Sequence, residues 1–166
     1  LGIRYLTLYA FSAENWDRPR EEVAILMKLL ERFLKTQLQE LVENSVRLKV
    51  IGRLNELSPK LQTLIAEAVD ATADFDERTL ILALNYGARH EVVDAVIAYA
   101  NAALEAREKP AELTWDRFAS YLYTAGIPDP DLIIRTSGEA RLSNFFLMQG
   151  AYSEFYFTTR CWPDFD

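Results

Sequence analysis

An α/β fold with a mostly parallel central sheet and helices on both faces is what this sequence predicts, on two observations. Short β-rich apolar runs alternate with longer segments of helical period along all 166 residues. Those runs are apolar almost throughout rather than at every second position, the pattern of strands covered on both sides. No linker, repeat or low-complexity stretch breaks the alternation, and the length suits one core. Residues 1–166 therefore read as a single domain.

The first strand is read over residues 5–11, a short apolar run. A long helix follows over residues 20–43. Val23, Leu26, Met27, Leu30, Phe33, Leu34, Leu38 and Leu41 recur there at spacings of three and four, forming one apolar stripe. Pro19, Glu21 and Glu22 suit its start, through a fixed φ and the positive end of the helix dipole. Residues 46–51 are a second strand, stopped by Gly52. Ser58 caps a helix that opens with Pro59 and runs to about Asp74. A third strand covers residues 79–85, and a third long helix runs from Glu91 to about Ala106. Thr114 caps a short helix through about Tyr123. Residues 131–135 and 155–158 are the last two strands.

Composition excludes several functions. A net charge of −7 leaves no basic excess for general nucleic-acid binding, so an anionic ligand needs a few local arginines. The single cysteine, Cys161, permits no internal disulfide and fits a reducing compartment. With one histidine, His90, no Cys/His zinc site can be assembled, and no G-x-S-x-G elbow accompanies it. The six glycines form neither a dinucleotide fingerprint nor a P-loop. No apolar run is long enough to span a bilayer, and the opening is not a signal peptide. It also lacks methionine, so the chain reads as part of something longer.

Three polar stretches follow strands: FSAENWDRP from Phe11, NYGAR from Asn85, and RTSGEARLSN from Arg135. Parallel strands place all three at one sheet edge, where α/β proteins bind ligands. Arg135, Arg141 and Ser143 suit a phosphate or diphosphate, because a guanidinium fork grips phosphate oxygens and a hydroxyl adds a donor. Surface pairing of these arginines with Glu139 or Asp131 is the plainer alternative. Asn85 and Arg89 join them, with Gly87 allowing a tight turn; a helix-leading turn with a solvated arginine is the alternative. Glu154 is a natural Mg²⁺ ligand if a diphosphate sits nearby, and otherwise a solvated carboxylate. Trp16 reads as core or as a wall beside a ligand, and FSAENW as a helix cap or the edge of a site.

FSAENWDRP, NYGARHE, DPDLIIRTSGEARLSNF and AYSEFYFT…WPDF, in that order, resemble the cis-prenyltransferases, closest to bacterial undecaprenyl diphosphate synthases. The resemblance covers essentially the whole chain. Ala88 replaces a frequent glycine and Met148 a frequent tryptophan, and neither change removes a charged or hydrogen-bonding group. The resemblance implies a cis-prenyltransferase-type fold and a Mg²⁺-dependent transfer of isopentenyl diphosphate onto an allylic diphosphate such as farnesyl diphosphate. It assigns Asn15, Arg18 and Ser12 to the reacting diphosphates and Trp16 to a mobile segment over them. Arg89, Arg135, Arg141 and Ser143 fall to substrate binding, and Glu154 to the metal. Ala10, read as sharing a strand face with Leu8 and Ser12, would limit product length, with the stripe of the long helix lining a tunnel.

The resemblance also implies a homodimer, a cytoplasmic location peripheral to the membrane, and delivery of a long polyprenyl product to membranes. The aromatic run 145–157 is the expected dimer surface, with simple core as the alternative. Family members carry an amino-terminal Asp-Gly-Asn-x-Arg loop, with a catalytic aspartate, and a carboxyl-terminal tail; neither is in this sequence. These 166 residues alone are thus expected to lack turnover. A non-catalytic partner subunit of the same fold, or an α/β protein binding another phosphate ligand, are the rival readings.

Overall fold

The structure, a computed structural model, describes residues 2–107 and 109–165. Its strands are β1 (Tyr5–Ser12), β2 (Val46–Ile51), β3 (Arg78–Tyr86), β4 (Leu132–Arg135) and β5 (Glu154–Phe157). Its α-helices are α1 (Arg20–Glu43), α2 (Pro59–Ala71), α3 (Ala88–Ala106) and α4 (Trp115–Ala119). Short 3-10 turns at Ala13–Asp17, Leu54–Glu56 and Gln149–Tyr152 join several of them. The chain divides into two compact units, one ending at Tyr86 and the other beginning at Gly87.

In the first unit β3 lies between β1 and β2, and both pairings are parallel. The register sets Leu48 and Leu6 beside Leu80, and Val50 and Leu8 beside Leu82. This face of the sheet packs against α1 and α2. Leu48, Leu82 and Leu84 are buried with Val23 and Leu34 of α1 and with Leu61, Ile65 and Ala68 of α2. Leu26, Met27, Leu30, Phe33, Leu38 and Leu41 pack around them, so the stripe read from the sequence is the core face of α1. Burying side chains of this size contributes on the order of 2 kcal/mol each.

Helix α2 ends three residues before its expected limit because Thr72 turns back on it. The Thr72 hydroxyl donates to the Ala68 carbonyl at 3.1 Å and accepts the Leu48 amide at 2.9 Å. One buried side chain thus ends the helix and fastens it to β2. At the other end of β2, Gly52 has φ +120°, and a Cβ there would lie 2.0 Å from the Leu84 carbonyl oxygen. Only glycine lets these backbones approach so closely.

In the second unit β4 and β5 form a parallel pair, with Leu132 beside Glu154 and Arg135 beside Phe157. Strand–helix alternation correctly indicates parallel strands, but it does not say which strands are neighbours. Among the described residues they form two sheets, of three strands and of two, instead of one. Boundaries also move. Helix α3 starts at Ala88 rather than Glu91, α4 stops at Ala119, and β5 opens on Glu154. Ala95, Tyr99 and Ala103 are buried along α3, where the Tyr99 and Tyr121 rings meet edge to face at 5.8 Å.

Gly52→Ala is expected to lower stability by roughly 3 kcal/mol, because neither the positive φ nor the Leu84 carbonyl can accommodate a methyl group. Urea denaturation of the two proteins measures this. A loss below about 1 kcal/mol, the ordinary cost of a point change, would mean the backbones separate freely.

Candidate functional site

In the first unit, the segments after β1 and β2 meet the end of β3 at the carboxyl end of the sheet. Ser12 ends β1 and caps the turn that follows. Its hydroxyl accepts the Glu14 amide at 3.2 Å, while its own amide donates to Asn15 Oδ1 at 2.9 Å. This reciprocal capping box uses both side chains. The Ser12 hydroxyl also donates to the Glu14 carboxylate at 2.8 Å. FSAENW is therefore a structural cap, whatever further role it has.

Trp16 is 41% exposed, which excludes a core position. Its indole rests edge-on against Phe11 at 5.1 Å, and Nε1–H donates to Asn85 Oδ1 at 2.8 Å. Arg18 follows the turn, with its guanidinium 3.8 Å from Glu22 and both side chains more than half exposed. A pair so wetted contributes little, and Arg18 remains available to an anion.

Ala10 requires a correction. Pairing with β3 passes from Tyr9 directly to Phe11, so Ala10 is a bulge residue. A bulge breaks the two-residue alternation on which a shared face with Leu8 and Ser12 depends. Ala10 is exposed, one position before buried Phe11. The register is restored two residues later, where Asn85 is skipped on β3.

Asn85 is the hub of this end of the sheet. It is 1% exposed and has φ +49°, a left-handed conformation that asparagine tolerates better than most residues. Its Nδ2 donates to the Arg53 carbonyl at 2.9 Å and to the Glu56 carboxylate at 2.8 Å. Its own carbonyl accepts the Arg53 amide at 3.2 Å. With Trp16 this joins the segments after β1 and β2 to the end of β3. Gly87, read as allowing a tight turn, is extended with φ −158°, and the left-handed residue here is Asn85.

In the second unit Asn144 joins two of the sequence-predicted segments. Its carbonyl accepts the Ala88 amide at 2.8 Å, and its Oδ1 accepts the Arg89 amide at 3.0 Å. A residue 55 positions away from Arg89 thus satisfies two of the amides that every helix start leaves open. Ser143 precedes it directly, and Ser143, Asn144 and Phe146 all have positive φ. The exposed Arg89 is therefore fixed beside the loop that carries Arg141 and Ser143. Arg141 pairs with Glu139 at 2.7 Å but stays 69% exposed, so the surface-pair alternative holds without removing the arginine from solvent.

Arg135 ends β4, where its carbonyl accepts the Thr158 amide at 3.0 Å. The loop beyond is clamped by the Ser137 amide to Arg160 O at 2.7 Å and the Gly138 amide to Thr158 O at 2.9 Å. Glu154 is not brought to Arg135. It begins β5 beside Leu132, three residues down the ladder, or about 10 Å, from Arg135. The pleat also gives the two side chains opposite faces. Glu154 is an exposed, hard oxygen donor of the kind Mg²⁺ takes, yet this ladder alone does not seat it on a phosphate held by Arg135. Among the described residues no three His, Cys, Asp or Glu side chains group as a metal site.

Sequence reasoning missed the buried group behind this loop. Glu91, 1% exposed, accepts Gln149 Nε2 at 3.0 Å and the Thr124 amide at 3.3 Å, and Gln149 also donates to Thr124 Oγ1 at 2.9 Å. It fixes the start of α3 to the segment between β4 and β5. A glutamate in a first helical turn looks the same in sequence whether it faces water or the core.

Comparison with known proteins places the chain among prenyl-transferring α/β enzymes. Residues 1–166 match the family described as "Putative undecaprenyl diphosphate synthase". The chain is 51% identical over 165 residues to an isoprenyl transferase of Rhizobium meliloti, covering 99% of this chain and 67% of that protein. It is 47% identical over 166 residues to the ditrans,polycis-undecaprenyl-diphosphate synthase ((2E,6E)-farnesyl-diphosphate specific) of Micrococcus luteus, covering all of this chain and 67% of that one. Among solved structures, lavandulyl diphosphate synthase from Lavandula x intermedia, in complex with dimethylallyl diphosphate, matches with TM-score 0.94 and 37% identity over 99% of this chain and 71% of that one. A "probable undecaprenyl diphosphate synthase" from Campylobacter jejuni matches with TM-score 0.86 and 34% identity over 98% and 74%. The chain belongs to the undecaprenyl diphosphate synthase family. It spans about two thirds of the length of these bacterial relatives.

The capping box makes Asn15 a stabilising residue as well as a candidate for the reaction. Asn15→Ala is expected to lower stability by about 1 kcal/mol in urea denaturation, and Asn15→Asp, which keeps the acceptor, by much less. Equal stability of all three proteins would show that the box contributes nothing.

Proposed function

We propose that this chain supplies the substrate loops of a cis-prenyltransferase, which condenses isopentenyl diphosphate onto an allylic diphosphate such as farnesyl diphosphate. Repeated condensation yields a long cis-polyprenyl diphosphate, undecaprenyl diphosphate. The observation that carries the reading is the clasp of Asn144 on the first amides of α3. It holds the exposed Arg89 beside the Arg141–Ser143 loop, an arrangement of cation and hydroxyl suited to a diphosphate in an otherwise acidic chain.

In each condensation the allylic carbon–oxygen bond breaks and its electron pair leaves with diphosphate. The terminal alkene carbon of isopentenyl diphosphate bonds to the allylic carbon, and a proton is then lost from the isopentenyl unit. Charge grows on the departing diphosphate, so cations already in place stabilise the transition state more than the ground state. In this reading Arg135, Arg141, Ser143 and Arg89 hold isopentenyl diphosphate, while Asn15, Ser12 and Arg18 serve the reacting diphosphates beside Trp16. Mg²⁺, on which this family generally depends, neutralises diphosphate charge when bound. Glu154 is the carboxylate proposed for it, acting from the opposite end of the β4–β5 ladder.

A non-catalytic partner subunit would not need both sets of loops to keep their donors, and a protein for an unrelated phosphate ligand would not need the amide-bearing turn after β1. Arg135→Ala in the complete enzyme should raise KM for isopentenyl diphosphate by one to two orders of magnitude, the loss of a charge-assisted contact of roughly 1.5–3 kcal/mol, while KM for the allylic substrate changes little. Steady-state kinetics with each substrate varied in turn measures this. Equal effects on both constants would count against the assignment.

The enzyme is further proposed to be a homodimer through residues 145–157. Leu147, Met148, Tyr152, Phe155, Tyr156 and Phe157 are all exposed within that run, whereas Phe146 is buried. An apolar surface this dense marks an interaction site. Sedimentation velocity should show a dimer at micromolar concentration, converted to monomer by Tyr156→Asp with Phe157→Asp. A monomeric parent would refute it.

A further inference from the structure

Two amide side chains at the end of the β1–β3–β2 sheet are each held in one orientation by their neighbours. A primary amide has nearly the same shape either way round, so its partners decide which end is oxygen and which is nitrogen. Asn85 meets two acceptors on one side, the Arg53 carbonyl at 2.9 Å and the Glu56 carboxylate at 2.8 Å. Only the nitrogen can donate to both, which leaves Oδ1 to accept the Trp16 indole N–H at 2.8 Å. The reverse orientation would set an oxygen against a carbonyl and a carboxylate, and N–H donors against the indole. Glu56 thus fixes, through Asn85, the acceptor that Trp16 meets.

The second amide lies one residue before that indole. The Ser12 amide holds Asn15 Oδ1 at 2.9 Å, so the Nδ2 donors are the end left for an anionic ligand. The capping box orders the turn internally, and Trp16 ties it to the sheet, by its ring edge on buried Phe11 and its N–H on buried Asn85. Glu56 is itself placed from elsewhere. It ends the 3-10 turn Leu54–Glu56, which Gln62 of α2 holds by donating to the Asn55 carbonyl at 3.3 Å and the Leu57 carbonyl at 2.7 Å. The same carboxylate lies 3.7 Å from the Arg53 guanidinium, a partly exposed pair that contributes little. Its bond to Asn85 is shorter and charge-assisted, and is the stronger of the two.

On the proposed assignment of Asn15 and Arg18 to the reacting diphosphates, we infer that Glu56 and Asn85 are positioning residues for the condensation. They act through Trp16, holding the turn so that the Asn15 donors and the Arg18 guanidinium on either side of it meet the departing diphosphate. Neither touches substrate. Their contribution is to placement, where a displacement of about 1 Å can cost a hundredfold in rate. A carboxylate on the segment after β2 is thereby coupled to a turn after β1, through one buried amide at the end of β3.

The test uses the complete enzyme with Glu56→Ala, Glu56→Gln and Trp16→Phe. Without substrates, the Trp16 indole N–H is followed by ¹⁵N-resolved NMR and assigned by its loss in Trp16→Phe. Glu56→Ala should shift that resonance and speed its exchange with water about tenfold. Glu56→Gln, whose side-chain oxygen can still accept from Asn85, should restore most of both. The rate constant of a single condensation, with enzyme in excess, does not depend on the fraction of protein that is folded. It should fall about tenfold in Glu56→Ala, the worth of one charge-assisted hydrogen bond, and recover in Glu56→Gln, with KM for isopentenyl diphosphate within about twofold. Added to Trp16→Phe, Glu56→Ala should cost less than about twofold more, because its route is already cut. If Trp16→Phe fails to fold, the two Glu56 variants decide alone. An unmoved indole resonance, an unchanged single-condensation rate, no rescue by glutamine or full additivity would overturn the inference. An inactive parent would overturn the proposed function together with it, whereas an active parent indifferent to Glu56 would overturn this inference alone.

Discussion

The carboxyl end of the β1–β3–β2 sheet depends on one buried amide, that of Asn85. Its oxygen accepts from Trp16, and its nitrogen donates to Arg53 and Glu56. In a buried setting each unmet partner costs on the order of 1–3 kcal/mol, so the loops must come to Asn85 or the structure loses stability. The left-handed backbone at Asn85 makes this geometry possible, since it takes the residue out of the ladder and turns its side chain to serve both neighbours. Gly52 completes the arrangement by letting β2's end approach the Leu84 carbonyl. Order in a polar loop here is thus imposed from beneath, by the strand that the loop covers.

Asn144 plays a comparable part in the second unit, with a different partner. It uses its backbone and side-chain oxygens to cap α3, and in doing so fixes the residues on either side of it. The run of positive φ angles through Ser143, Asn144 and Phe146 is the backbone cost of that arrangement. Behind it, Glu91 and Gln149 hold the helix start with buried hydrogen bonds. A hydrogen-bonded backbone and an exposed arginine, Arg141, are therefore combined in one loop.

The chain separates its charges by role. Arg18 and Arg141 remain exposed although each has an acidic neighbour. Lys28, Arg32 and Lys35 of α1 gather in one stripe beside the exposed Ile25 and Leu29.

Periodicity and punctuation in the sequence determined the elements. The core face of α1, the cap at Ser58, the stop at Gly52, the parallel sense of the strands and the ordered loop motifs of the family were all legible, because each depends on residues near in sequence. Ser12 and Asn15 were legible as either cap or site, and only their hydrogen bonds showed the cap. Tertiary structure alone decided which strands are neighbours, that Ala10 and Asn85 are bulges, and that Glu154 and Arg135 lie on opposite faces and ends of a ladder. It alone showed that Glu91 is buried and that Asn144 reaches α3. Each of these depends on what lies across a gap of tens of residues. Local pattern carries no record of such a partner, and an asparagine or glutamate reads the same with or without one.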